Sequence, residues 1–158
     1  MKRLLILTII IGSLAVTKPA NDYSFTMQAN PKEKACIVEA LWHEARGEST
    51  YGIAAVLTVI KNRVYSDMYP STYCKVIYQN RQFSYVHQLR YKKPIVKPSE
   101  RAIMQSIEAL ADAILTGKLD GVIPSDVLWY HTVKVKPHWN KRMQTHVIIG
   151  KHRFLKAK

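Results

Sequence analysis

The stretch W-H-E-A-R-G-E-S, residues 42–49, sets two carboxylates, Glu44 and Glu48, around a glycine at the end of an apolar run, in a chain of 158 residues that holds only 11 acidic ones. Upstream of it, Ile37, Ala40, Leu41 and Glu44 follow the i, i+3, i+4, i+7 spacing of a single helix face. The pattern predicts a helix from about Lys32 to Ala45, with Glu44 standing where an Ile or Leu is expected. Gly47 reads as its stop. Ser49 or Thr50 then caps a second helix, whose Ala55, Val56, Val59, Ile60 and Arg63 mark a heavily buried face. Two carboxylates therefore flank one tight turn.

A carboxylate on an apolar helix face suits a general acid, because partial desolvation raises its pKa towards neutrality. The alternative is a Glu44 paired with Arg46 or Arg63. Glu48 is a candidate for the second carboxylate that most glycosidases place across the scissile bond. Its alternative is a cap or an ion pair that holds the turn.

Further along, a short third helix follows Pro70-Ser71 with Cys74 and Ile77 inward, and the chain turns through residues 79–84. Residues 86–98 have no periodicity, four basic side chains and two prolines, and read as a loop. Ser99 is the expected cap of a helix to about Thr116, with Ile103, Ile107, Leu110 and Ile114 on one side and Gly117 closing it. Beyond Pro124, residues 126–131 and 145–149 read as extended, and Gly150-Lys151 fits a two-residue hairpin with Gly first. The expected class is α+β, mainly helical, with a small antiparallel sheet near the C-terminus.

At the other end, Met1-Lys2-Arg3 precedes thirteen largely apolar residues, too few to span a bilayer as a mature helix. Residues 1–15 read as an export signal cut after Ser13-Leu14-Ala15, or alternatively as a weak anchor. Residues 16–31 read as a linker and 32–158 as one catalytic domain. Cleavage after Ala15 removes Lys2 and Arg3 and leaves 22 basic against 11 acidic residues, a net charge of +11. Such a chain seeks polyanions, and export favours an anionic cell envelope over nucleic acid. Cys36 and Cys74 both stay in the exported chain, where they can form one disulfide or serve as small core residues.

Several chemistries lack their signatures. His43-Glu44 begins like the zinc-protease HExxH, but Gly47 stands in place of the second His. His131, His138, His146 and His152 fit no compact metal spacing. Neither a Gly-x-Ser-x-Gly elbow nor a phosphate loop occurs, and neither Cys has a His at a diagnostic spacing. The basic residues interleaved with Tyr65, Tyr69, Tyr73, Tyr78, Tyr85 and Tyr91 can stack on bases or on sugar faces.

A series of short motifs then points to one family. Glu44-Ala45-Arg46-Gly47-Glu48, Gly52-Ile53-Ala54-Ala55-Val56, Asn62-Arg63-Val64, Pro70, residues 74–79, Gln82-Phe83-Ser84, Trp129-Tyr130-His131-Thr132, Pro137, Trp139 and residues 149–154 resemble, in this order, the SleB/CwlJ-type cell-wall hydrolases. The resemblance spans about residues 33–155. It departs from the pattern at His43, before the Glu, and at Phe154-Leu155, where an aromatic pair is expected.

The resemblance implies a lysozyme-like fold acting on peptidoglycan, with Glu44 as catalytic acid and then base of a lytic transglycosylase that leaves 1,6-anhydromuramyl ends. It implies Gln82, Phe83, Ser84, Tyr130 and His131 as substrate-binding residues, to which Glu48 is added from its place beside the turn; no cofactor or metal is expected. The expected partners are peptidoglycan, anionic envelope polymers and, through the N-terminal segment, a transient membrane contact, with no specific nucleic acid. A monomer working in the periplasm, the envelope or outside the cell is expected, encoded by a phage as a lysin or by a bacterium. Hydrolytic muramidase or amidase action on the same substrate, and a non-catalytic basic envelope-binding module, remain as alternatives.

Overall fold

The computed structural model describes residues 29–80, 82, 83, 85, 86 and 94–158. The export segment, most of the linker, Ser84 and much of the basic loop lie outside the described residues. Among the described residues four full α-helices come first, α1 (Pro31–Ala45), α2 (Thr50–Val64), α3 (Tyr73–Ile77) and α4 (Arg101–Leu115). Three strands follow, β1 (Trp129–Thr132), β2 (Met143–Ile149) and β3 (His152–Ala157), with a 3₁₀ turn, His138–Arg142, leading into β2.

Each helix start has a local cause. Asn30 accepts the backbone N–H groups of Lys32 and Glu33, and Pro31 at the first helical position has no N–H to leave unpaired. Ser49 accepts the Gly52 N–H and starts α2, and Thr72 accepts the Lys75 N–H and starts α3. Two expectations change. Gly47 does not take a left-handed conformation; Arg46 ends α1 in an ordinary helical conformation, and the Glu48 N–H bonds back to the Ala45 carbonyl. Ser99 is not the cap of α4, because Pro98 opens a 3₁₀ turn, Pro98–Glu100, in which the Glu100 carboxylate accepts the Lys97 N–H. Gly117 does end this helix with a φ of 71°.

Helix α2 is the centre of the fold. Residues 52–60 are all buried, so the helix is apolar around its whole circumference and the other elements wrap it. Ile37 and Leu41 of α1, Val76 and Ile77 of α3, Ile107 and Ala111 of α4 and Phe154 of β3 belong to the same core. Truncating one of these, for example Leu41→Ala, costs on the order of 2–5 kcal/mol. Cys36 of α1 and Cys74 of α3 are joined in a disulfide across a separation of 38 residues.

The sheet is antiparallel in the order β1-β3-β2. The β2–β3 hairpin turns at Gly150 with a φ of 56°, and β3 lies in the middle, pairing Tyr130 with Phe154 and His131 with Arg153. Strand β1 enters from a loop fastened to α2: Asn62 donates to the carbonyls of Pro124 and Val127, at 2.8 and 3.1 Å. This attachment brings Tyr130 from the C-terminal part of the chain to the last turn of α1.

Candidate active site

Glu44 sits half-buried on the last turn of α1, on the stripe that begins with Ile37. The hydroxyl of Tyr130 donates to its Oε2 at 3.4 Å. Burial raises the Glu44 pKa above its ordinary value, while the Tyr130 hydrogen bond and the charge of Arg63 pull it the other way. Tyr130 is held well above its usual range, first by burial and then by the Glu44 charge, so it remains a donor. Neither cation suggested as an ion-pair partner takes that place. Arg46 donates to the Trp42 carbonyl at 2.9 Å and approaches Glu100 at 3.8 Å.

Arg63 occupies the last turn of α2 and is 5% exposed. Its Nε donates to the Leu128 carbonyl at 2.8 Å, and its guanidinium carbon lies 5.3 Å from the centre of the Tyr69 ring. One of its terminal nitrogens, Nη1, has no hydrogen-bond partner. A buried cation thus lies near a half-buried acid. A guanidinium keeps its charge in such surroundings, although burial works against it.

Beside this pair lies a pocket of about 270 Å³, lined by Arg63, Tyr69, Gln82, Trp129, Tyr130, Trp139 and Met143. Its wall is aromatic and donor-rich and contains no carboxylate, which suits the apolar faces and hydroxyls of a sugar. A larger cavity of about 690 Å³ lies at the C-terminal ends of α2 and α4. There Lys61 pairs with Asp120, and Asp126 with Lys156, so among the described residues only Asp67 of its charged lining stands outside an ion pair. Chemistry places the site at the smaller pocket. Among the described residues, no group of three or more His, Cys, Asp or Glu side chains is arranged to hold a metal ion.

The residues singled out from sequence separate into two groups. Gln82 and Tyr130 line the pocket. Phe83 is 2% exposed and packs in the core, and His131 is buried with its ring edge-on to Trp139, so these two support the wall from behind. Glu48 does not line the pocket: its carboxylate accepts the Lys151 backbone N–H at 3.1 Å and lies 3.8 Å from His152 Nδ1. Ser84 lies outside the described residues. The unexpected members are Arg63, Tyr69, Trp129, Trp139 and Met143. Arg63 carried a signal, a charged residue on an otherwise apolar helix stripe; Trp129 and Trp139 stood in the family motifs and Tyr69 among the tyrosines able to stack on sugars, while Met143 carried none.

A mainly helical α+β domain with a half-buried acid beside an aromatic pocket has the parts that an enzyme acting on a glycan needs. The chain belongs to the Cell Wall Hydrolase family, whose model matches residues 47–155. The match opens three residues after Glu44, so the case for that residue rests on the geometry above. The fold is similar to the crystal structure of the catalytic domain of the Bacillus cereus SleB protein, with 27% identity and a TM-score of 0.58 over 81% of this chain and 92% of that one. It is also similar to the catalytic domain of the germination-specific lytic transglycosylase SleB from Bacillus anthracis, with 28% identity and a TM-score of 0.58 over 80% of this chain and 96% of that one. No curated protein matches the chain.

Proposed function

We propose that the protein is a lytic transglycosylase that cleaves the MurNAc–GlcNAc bond of peptidoglycan with Glu44 as its single acid and base, acting outside the cytoplasm. Protonated Glu44 gives its proton to the glycosidic oxygen as the bond to C1 of the muramyl sugar breaks. The resulting carboxylate then takes the proton of that sugar's 6-hydroxyl, whose oxygen closes on C1. The products are a 1,6-anhydromuramyl end and a free GlcNAc hydroxyl; no water is consumed.

The observation that supports this reading is the engagement of the second carboxylate, Glu48, by the β2–β3 hairpin. Hydrolysis by inversion needs a second carboxylate across the sugar to activate a water, and hydrolysis by retention needs one as nucleophile. Glu48 is the nearest candidate in the chain, yet its side chain is 6% exposed and its carboxylate accepts the Lys151 N–H of the hairpin. The pocket wall offers no replacement. One acid with a raised pKa can serve both proton transfers when the nucleophile belongs to the substrate.

The distinguishing experiment is mass spectrometry of the soluble fragments from purified sacculi, before and after borohydride. Anhydromuropeptides that resist reduction are expected as the major product. Reducible muramic acid ends would assign the site to hydrolysis, and free peptides with intact glycan would assign it to an amidase.

A further inference from the structure

The charge of the chain is unevenly placed. From residue 127 to the C-terminus the sequence has eight Lys and Arg and no Asp or Glu, so all 11 acids lie at or before Asp126. This one-signed stretch folds into β1, the 3₁₀ turn, β2 and β3. The same stretch supplies Trp129, Tyr130, Trp139 and Met143 to the pocket. Basic residues are therefore interleaved with the residues that line the site: Lys141 and Arg142 lie between Trp139 and Met143, and both are exposed. On the other side, Lys151 Nζ lies 3.6 Å from where a Cβ on Gly47 would stand, over the turn that follows Glu44. Among the described residues, Lys134, Lys136, Lys141, Arg142 and Lys151 have no carboxylate partner; Lys156 alone in this stretch is neutralised, by Asp126.

Unpaired like charges on one surface repel each other, and they attract an anion that carries several charges. We propose, building on the glycan-cleaving reading above, that this basic rim binds the free carboxylates of the peptide stems carried by the glycan strand in the cleft. A strand lying in the pocket must run along the 129–143 wall, and its stems project from the muramyl sugars towards the rim. The preferred substrate is peptidoglycan whose stem carboxylates are free. Stripped glycan and strands with amidated stems bind less well, because they offer the rim no countercharge. The exposed Val133, Val135 and Ile148 of the same stretch of chain give an anionic lipid surface as the competing occupant.

The test uses the full chain on two batches of one sacculus preparation, one with free stem carboxylates and one amidated with carbodiimide and ammonia. Amidation is expected to raise KM about tenfold, the combined effect of a few exposed ion pairs, with kcat little changed. The difference should shrink in about 0.5 M salt. The triple variant Lys141→Gln, Arg142→Gln, Lys151→Gln should lose the preference, whereas Lys32→Gln, Lys75→Gln, Lys118→Gln on the remote surface should keep it. Equal KM on both batches, or equal loss of preference in the remote variant, would overturn the proposal. Binding to phosphatidylglycerol vesicles without any preference between the batches would give the face to lipid and overturn it as well. Cosedimentation with the two batches runs alongside: if neither batch is cleaved, the transglycosylase reading fails, and selective sedimentation with the free-carboxylate batch still decides the role of the rim.

Discussion

The Glu48 carboxylate accepts the backbone N–H of Lys151 at 3.1 Å, and it fills the space beside Gly150 so closely that a Cβ there would come within 1.8 Å of its Oε2. One acid of the α1–α2 turn is thereby committed to the hairpin at the far end of the sequence, while Glu44, four residues earlier, faces Tyr130. The two acids differ in task because the turn between them sends their side chains to different neighbours. Gly150→Ala should destabilise the fold on two counts, the clash and a left-handed φ that costs a residue with a Cβ about 1–2 kcal/mol. Glu48→Gln should be far milder than Glu48→Ala, since an amide oxygen can still accept the Lys151 N–H. Melting curves of the three variants check this, and a Glu48→Ala protein as stable as wild type would refute the structural role.

Glu44→Gln should lower the rate of sacculus solubilisation by on the order of 100- to 10,000-fold and leave the circular dichroism spectrum intact. Its effect on stability should depend on pH. Because the folded-state pKa of Glu44 is raised, the folded protein holds this proton more tightly than the unfolded chain, and stability is lost as pH rises from the unfolded value through the folded one. The neutral Gln escapes that loss. The variant should therefore gain in melting temperature relative to wild type as pH rises above the ordinary carboxylate range; a difference that does not change with pH would contradict the buried-acid assignment.

Tyr130→Phe removes the hydrogen bond that favours the Glu44 carboxylate, so the Glu44 pKa should rise further. Catalysis needs the protonated acid, and kcat/KM falls as pH climbs through its pKa. The alkaline limb of the pH–rate profile should accordingly move to higher pH in Tyr130→Phe. A limb that stays in place, or moves to lower pH, would show that Tyr130 does not act on Glu44.

Arg63→Lys should be a damaging change despite keeping the charge. A lysine cannot reproduce the Nε–H bond to the Leu128 carbonyl from inside the fork, and leaving that buried carbonyl unpaired costs about 1–3 kcal/mol. Denaturant unfolding measures the loss, and activity measured well below the melting transition separates it from any effect on Glu44.

Reduction of the Cys36–Cys74 bond should lower the melting temperature, since opening a loop of this length releases about 4 kcal/mol of chain entropy into the unfolded state. Denaturation without reductant should expose no titratable thiol.

The helices were legible along the chain because each is encoded by neighbours in sequence. The stripe of Ile37, Leu41 and Glu44, the Ser49 cap, the apolar α2 and the Gly150-Lys151 hairpin all follow from spacing and local conformation, and the ordered motifs pointed to the family. Glu44 could be found the same way, as the one acid on a buried stripe. Where local rules compete, the reading slipped by a few residues: Pro98 opened a 3₁₀ turn ahead of α4 where Ser99 was expected as its cap. The partners of each acid were beyond local reasoning. That Tyr130 meets Glu44 across a sequence gap of 86 residues, that Glu48 is taken by the hairpin, and that Arg63 comes to line an aromatic pocket depend on how β1 is fastened to α2 through Asn62. Periodicity along a chain says which face of an element is buried. Which atoms meet on that face is decided by packing between elements, and it was this packing that separated the acid beside the pocket from the one that holds the hairpin.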